Sequence, residues 1–202
     1  MKLHYMGKYD LDPDSLPRGE HMPGAVPFKE VKDTKQMSLL ANGLCLVLMV
    51  LLGIGAAARC RPWFVESRWQ LPLGCAASLL VLFPHELLHA VCFRGDAYLY
   101  TNLAQGLLFV VGSETMSKGR FIFMSLLPNL VFGLVPYVIG MIWPRLVFCL
   151  AMGTLCIGMG AGDYYNVFNA ATQMPRGART YLYGFNSWWY MPDGAAGAGG
   201  EP

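Results

Sequence analysis

The stretch VLFPHELLHAVCF, Val81 to Phe93, writes the pattern HExxH with His85, Glu86 and His89 inside an apolar run. On a helix, positions i and i+4 stack on one face, so both imidazoles can reach one ion. Glu86, one residue on, lies beside it within reach of a metal-bound water. Zinc chemistry needs that arrangement. The metal lowers the pKa of its bound water to about 7, and a carboxylate at hydrogen-bond distance removes the proton and later delivers it to the leaving amine. A lone histidine on an apolar face is ordinarily a hydrogen-bonded core residue. That explanation weakens when two histidines and a glutamate share one motif in a membrane segment, where ionisable groups are costly and persist for a function. Pro84 also removes a helix hydrogen bond just ahead of His85, which opens the backbone there to water or to a peptide.

The run that holds the motif is one of four. They extend from about Met37 to Ala58, Gln70 to Phe93, Phe121 to Trp143 and Leu146 to Val167. Each is roughly 22 residues long, enough to cross a hydrocarbon core of about 30 Å. The composition of the 202 residues agrees, since 54% are hydrophobic and 14% charged, which is wrong for a soluble domain. Buried helices of a soluble core would need polar faces, and the first and third runs contain no charged residue. The expected fold is therefore an all-α membrane protein of four transmembrane helices in the cell membrane. The first run begins after 36 mostly polar residues and lacks a small-residue cleavage site, so it reads as a retained anchor and not a signal peptide. A net charge of +2 gives no electrostatic case for nucleic acid. The six cysteines are scattered with no CxxC pair, so neither a disulfide framework nor a thiolate zinc site is implied.

Lys and Arg set the expected orientation. With the N-terminus inside, Lys2, Lys8, Arg18, Lys29, Lys32, Lys35, Arg94, Lys118, Arg120, Arg176 and Arg179 are cytosolic, and only Arg59, Arg61, Arg68 and Arg145 lie outside. That distribution favours both termini in the cytosol. Residues 1–36, with Pro13, Pro17, Pro23 and Pro27, read as an extended segment along the membrane surface without a core of its own. Residues 37–193 form the membrane domain, and 194–202, GAAGAGGEP, a flexible tail. Between the second and third spans, Tyr98 and Tyr100 alternate and Leu107 to Val111 form an apolar run between Gly106 and Gly112. That pattern predicts a short hairpin, whose edge could pair an extended peptide, or a re-entrant loop.

Apart from cysteines and tyrosines, the ionisable side chains within the spans are His85, Glu86, His89 and Asp163. A catalytic zinc site wants three protein ligands, and no third histidine follows His89 at the metzincin spacing. Asp163, in GMGAGDYYNVF, is the sole charge of its span. His85 and His89 lie 15 and 19 residues past Gln70, and Asp163 lies 17 past Leu146. At about 1.5 Å per residue, these depths agree within a few ångströms. Glu114 and Asp96 are the competing carboxylates, but water solvates either without a metal. Pro128 and Asn129, about eight residues into the third span, fall near the same level. Asn129 could donate to the oxyanion of a tetrahedral intermediate or contact substrate, or it could satisfy a carbonyl freed by the proline.

Taken together, HELLHA, SKGRFIFMSLLPN, GAGDYYN and MPRGARTYLYGFNSWWY carry a resemblance over roughly Pro27 to Tyr190. The chain resembles a bacterial family of zincin-type peptidases, itself similar to a minimal site-2 intramembrane metalloprotease. The resemblance implies zinc held by His85, His89 and Asp163, with Glu86 as the catalytic carboxylate. The aspartate stands in an Ala-Gly-Asp-Tyr context, whereas site-2 enzymes commonly use Asn-Pro-Asp-Gly or Leu-Asp-Gly. The sequence thus leads to an integral membrane zinc endopeptidase acting on a membrane-protein or peptide substrate in or near the cytosolic leaflet. Its rivals are a non-catalytic metal-binding scaffold or regulator and a small ion transporter. The transporter is the weakest, because no repeated pair of broken helices is visible.

Overall fold

A computed structural model describes residues 1–31 and 33–192. Lys32 of the charge count and the tail expected at 194–202 lie outside the described residues. In chain order the elements are β1 (Lys2–Lys8), β2 (Val26–Pro27), α1 (Thr34–Glu66), α2 (Gln70–Leu80), α3 (Leu82–Val91), β3 (Asp96–Asn102), β4 (Leu107–Val111), β5 (Met116–Ser117), α4 (Lys118–Pro128), a π-helical turn (Asn129–Leu134), α5 (Val135–Ile142), α6 (Val147–Met159), α7 (Ala161–Gln173), β6 (Arg179–Tyr183) and β7 (Asn186–Tyr190).

The all-α expectation is overturned: the described residues form two sheets as well as the helices, and the fold is mixed α/β. One sheet has the order β1-β3-β4 and the other β2-β7-β6-β5. The hairpin between the second and third apolar runs does form, as β3 and β4 with Tyr98 opposite Val111 and Asn102 opposite Leu107. It is completed by β1, which runs parallel to β3 with Lys2 beside Asp96. The second sheet comes from two five-residue runs rich in aromatic and β-branched residues, RTYLY and NSWWY. Gly184 in the left-handed region turns one into the other.

The chain divides into two compact units. The first comprises Met1–Glu30, Glu86–Met124 and Asn166 to the end of the described residues, and it contains both sheets. Its larger core packs Phe28, Phe93, Met116, Phe121 and Met174 around Ala90, Ala97, Ala170 and Ala178, and a second cluster joins Tyr9, Leu16, Tyr100 and Val111. Basic side chains close its helix ends. Lys118 donates from Nζ to the carbonyls of Ala171 and Met174, both at 2.8 Å, and Arg120 donates to the carbonyl of Cys92. Cations on the last carbonyls of α7 and α3 satisfy groups that have no partner within the helix and complement the helix dipole.

The second unit, Val31–His85 and Ser125–Tyr165, is helical. Asp33 caps α1 by accepting from the Gln36 N–H at 2.8 Å. Cys60, Ala56 and Leu150 form its fully buried centre. Glycines bring the helices close: a Cβ on Gly153 would stand 2.5 Å from the backbone nitrogen of Tyr137. Small residues are what permit such contact between apolar helices. Lys35–Glu66 and Lys118–Ile142 are each long and apolar enough to cross a membrane. Gln70–Leu80 with Leu82–Val91, and Val147–Met159 with Ala161–Gln173, pass the same test as pairs bent by more than 40°. The described residues therefore hold two such spans, or up to four if each bent pair is one.

Candidate metal centre

The HExxH residues sit on α3, whose start is fixed by chain chemistry. Pro84 is its third residue and has no N–H for the carbonyl of Leu80, the last residue of α2, and the helix breaks between them at Val81. The next amide, that of His85, donates to Val81 O at 2.8 Å and closes the turn. From this helix one ligand-type atom each of His85, Glu86 and His89 lies within 4.8 Å of the others. His89 is buried, and His85 and Glu86 are half-buried.

Each of the three is held from a different direction. The Nδ1 of His89 lies 2.9 Å from the carbonyl oxygen of Met124. A carbonyl only accepts, so the proton is on Nδ1 and Nε2 carries the lone pair. Oε2 of Glu86 accepts from the N–H of Val110 in β4 at 3.0 Å. Nε2 of His85 stands 3.2 Å from Oδ2 of Asp163. Asp163 lies in the first turn of α7, where the unpaired N–H groups and the helix dipole favour a carboxylate.

Asn129 meets the same carboxylate oxygen. Its Nδ2 donates to Asp163 Oδ2 at 2.7 Å and to Ser125 O at 3.3 Å, and the side chain is 3% exposed. The room for it exists because residue 160 is glycine: a Cβ there would come within 1.7 Å of Asn129 Oδ1. Oδ1 itself is buried and finds no hydrogen-bond partner among the described residues. An apolar residue would avoid that cost, so the amide is retained for what Nδ2 holds.

Counting residues along the spans put His85, His89, Asn129 and Asp163 at one depth. The structure sets Asp163 against His85 and Asn129 against Asp163. The Asn129 amide, read from sequence either as an oxyanion donor or as the partner of a freed carbonyl, donates to the aspartate and to Ser125 O. The competing carboxylates are engaged elsewhere. Glu114 Oε2 accepts from the N–H groups of Arg94 at 2.7 Å and Gly95 at 2.6 Å, and Oε1 pairs with Arg120 at 2.5 Å. Asp96 Oδ1 is 3.2 Å from His4 Nε2. Sequence reasoning missed two partners, Met124 O and the Val110 N–H, because both are backbone atoms. Pro128 was the available signal for the first.

The donor set suits zinc. Two imidazoles and a carboxylate form a known catalytic zinc set, and neighbouring ligands on a tetrahedral zinc stand roughly 3.3 Å apart. The 3.2 Å between His85 Nε2 and Asp163 Oδ2 meets that spacing for this one pair, while the three donors grouped within 4.8 Å of one another are His85, Glu86 and His89. His89 already gives its other ring N–H to a carbonyl, the usual outer partner of a metal-bound imidazole.

A family profile matches residues 78–179, from within α2 through HExxH and Asp163 to the first residue of β6, about half of the chain. The chain belongs to that family, described as Putative zincin peptidase. Membership suggests a metallopeptidase, with zinc as the metal that the family implies. No curated protein and no solved structure matches the chain.

Proposed function

We propose that the chain is an integral membrane zinc endopeptidase that hydrolyses an extended segment of another membrane protein in or near the cytosolic leaflet. One observation carries this reading. The HExxH helix gathers His85, Glu86 and His89 within 4.8 Å of one another, and a further carboxylate, Asp163 Oδ2, stands 3.2 Å from His85 Nε2. Support for the membrane setting comes from the two unbroken apolar helices and the two bent pairs. The excess of Lys and Arg on one side supports cytosolic termini.

His85, His89 and Asp163 would hold the metal, which when bound would supply a Lewis acid able to acidify water and polarise a peptide carbonyl. Glu86 takes the proton from the water that attacks that carbonyl and returns it to the leaving nitrogen. The Val110 N–H fixes the Glu86 carboxylate by its Oε2. The same strand offers the substrate its seat. β4 is an edge, bonded to β3 on one side. Since the Val110 N–H is turned to Glu86, it does not face β3, and by the alternation of an antiparallel ladder the N–H and C=O of Leu108 share that outer edge. An extended peptide pairing there is brought beside the carboxylate that moves the proton.

The test is comparative membrane proteomics of cells carrying the native chain or Glu86→Gln, with zinc measured in both purified proteins. The expected result is an intact membrane protein that accumulates with Glu86→Gln, a rate loss of about 10²- to 10⁴-fold, and zinc content near native. Cleavage retained by the variant defeats the mechanism. A native chain that holds zinc yet changes no cleavage product points to a binding or scaffolding role.

A further inference from the structure

The function above assigns nothing to Pro128, a fully buried proline at the end of α4, in the middle of the Lys118–Ile142 helical stretch. In an α-helix the carbonyl of residue 124 is the acceptor for the N–H of residue 128. Proline has no N–H, so Met124 O loses that donor. A buried carbonyl in an apolar surrounding must find another partner. The partner it has is Nδ1–H of His89, at 2.9 Å.

We infer that Pro128 is a positioning residue for His89: by withholding an N–H, it leaves the Met124 carbonyl to fix the ring and the tautomer of a metal-ligating histidine. The inference rests on the proposed zinc reading. A proline kept only to bend the helix would ask nothing of His89. The bond also goes to the nitrogen that a zinc ligand uses for its outer contact, which leaves Nε2 to bear the lone pair. Beyond this point the helix continues as a π turn from Asn129, so the break is local and sits beside the residues it serves.

The experiment is zinc affinity of the full chain, purified in detergent, by competition against a chelator of known affinity, with thermal unfolding alongside. Pro128→Ala restores an N–H that competes for Met124 O, and alanine is also the better helix former. The expected result is zinc binding weakened about 10- to 100-fold with unfolding temperature unchanged or raised. A role in packing or bending predicts the reverse, lower stability with unchanged affinity in the folded fraction, and that outcome overturns the inference. An α-hydroxy acid placed at position 128 lacks the N–H and also lacks the ring. It should retain native affinity, and loss of affinity there overturns the inference even if Pro128→Ala fails to fold. A native chain whose zinc binding is indifferent to His85→Ala overturns the zinc reading first and this inference with it, a result distinct from intact native binding with an unaffected Pro128→Ala.

Discussion

Among the described residues, α1 and the stretch Lys118–Ile142 are the two single helical stretches long and apolar enough to cross a membrane, yet they differ in regularity. In the most apolar window of α1 only 6% of residues are buried, against 28% in the other. Both contain prolines. Pro62 lies within the last five residues of α1, and the helix continues as α beyond it. At Pro128 the α-helix gives way to a π turn that begins with a buried asparagine. A regular helix satisfies its own backbone and can face lipid with nothing else to do. An interrupted one exposes carbonyls and admits polar side chains, and every such group buried must be met by another. Met124 O is met by His89, Ser125 O by the Asn129 amide, and that amide in turn donates to Asp163. On the proposed reading, irregularity in this chain coincides with the metal centre, and regularity with a membrane anchor.

The sharpest way to break that comparison is to remove a ligand on one side and an exposed apolar side chain on the other. Asp163→Ala should weaken zinc binding by more than roughly 100-fold, beyond the loss that outer contacts cause. Leu46→Ala in α1, at a residue 63% exposed, should leave zinc binding at the native level. Chelator competition on both purified variants measures the contrast. Equal affinities would remove Asp163 from the ligand set and dissolve the distinction between the two helices.

The apolar runs were legible because composition marks them, and helices cover them, two as single stretches long enough to cross a membrane and two as bent pairs. Their breaks at Val81 and Gly160 were not, since a bend depends on packing partners distant in sequence. The strands were partly legible. Gly184 between RTYLY and NSWWY is a hairpin signal of the ordinary kind. The pairing of β1 with β3, Lys2 beside Asp96, has no local trace. At the metal centre, His85, Glu86 and His89 stood out as a motif and Asp163 as a charge that a bilayer would penalise. What holds them was hidden because it is mostly backbone: a carbonyl for His89 and an amide for Glu86.

Glycines sharpen the comparison at smaller cost. A Cβ on Gly53 of α1 would have nothing within 4 Å, whereas one on Gly160 would collide with the Asn129 amide at 1.7 Å. Gly53→Ala should stabilise the chain by ~0.5–1 kcal/mol through backbone entropy. Gly160→Ala should destabilise it by ~1–3 kcal/mol through overpacking, and by displacing Asn129 from Asp163 it should weaken zinc binding by about tenfold. Unfolding midpoints and chelator competition read the two effects separately. Should Gly160→Ala lose stability but keep full zinc affinity, Asn129 packs against Asp163 without orienting it.

The smallest expected effect lies on β4, where a backbone amide and not a helix break does the holding. The Val110 N–H donates to Glu86 and so does not belong to the ladder with β3, which makes proline acceptable there on strand grounds. Val110→Pro removes the donor and puts the ring's Cδ where its hydrogen was, so Glu86 must leave its place. The fold and the zinc content should be near native, because His85, His89 and Asp163 are untouched. With a peptide substrate from the proteomic comparison, kcat should fall by about tenfold or more, the range of a general base that is present but misplaced. KM should change little, since peptide pairing on the outer edge uses Leu108 and the Val110 carbonyl. A rise in KM at constant kcat would instead make the Val110 amide part of the substrate seat. Loss of zinc would put Glu86 among the ligands, and the proton would then need another carrier.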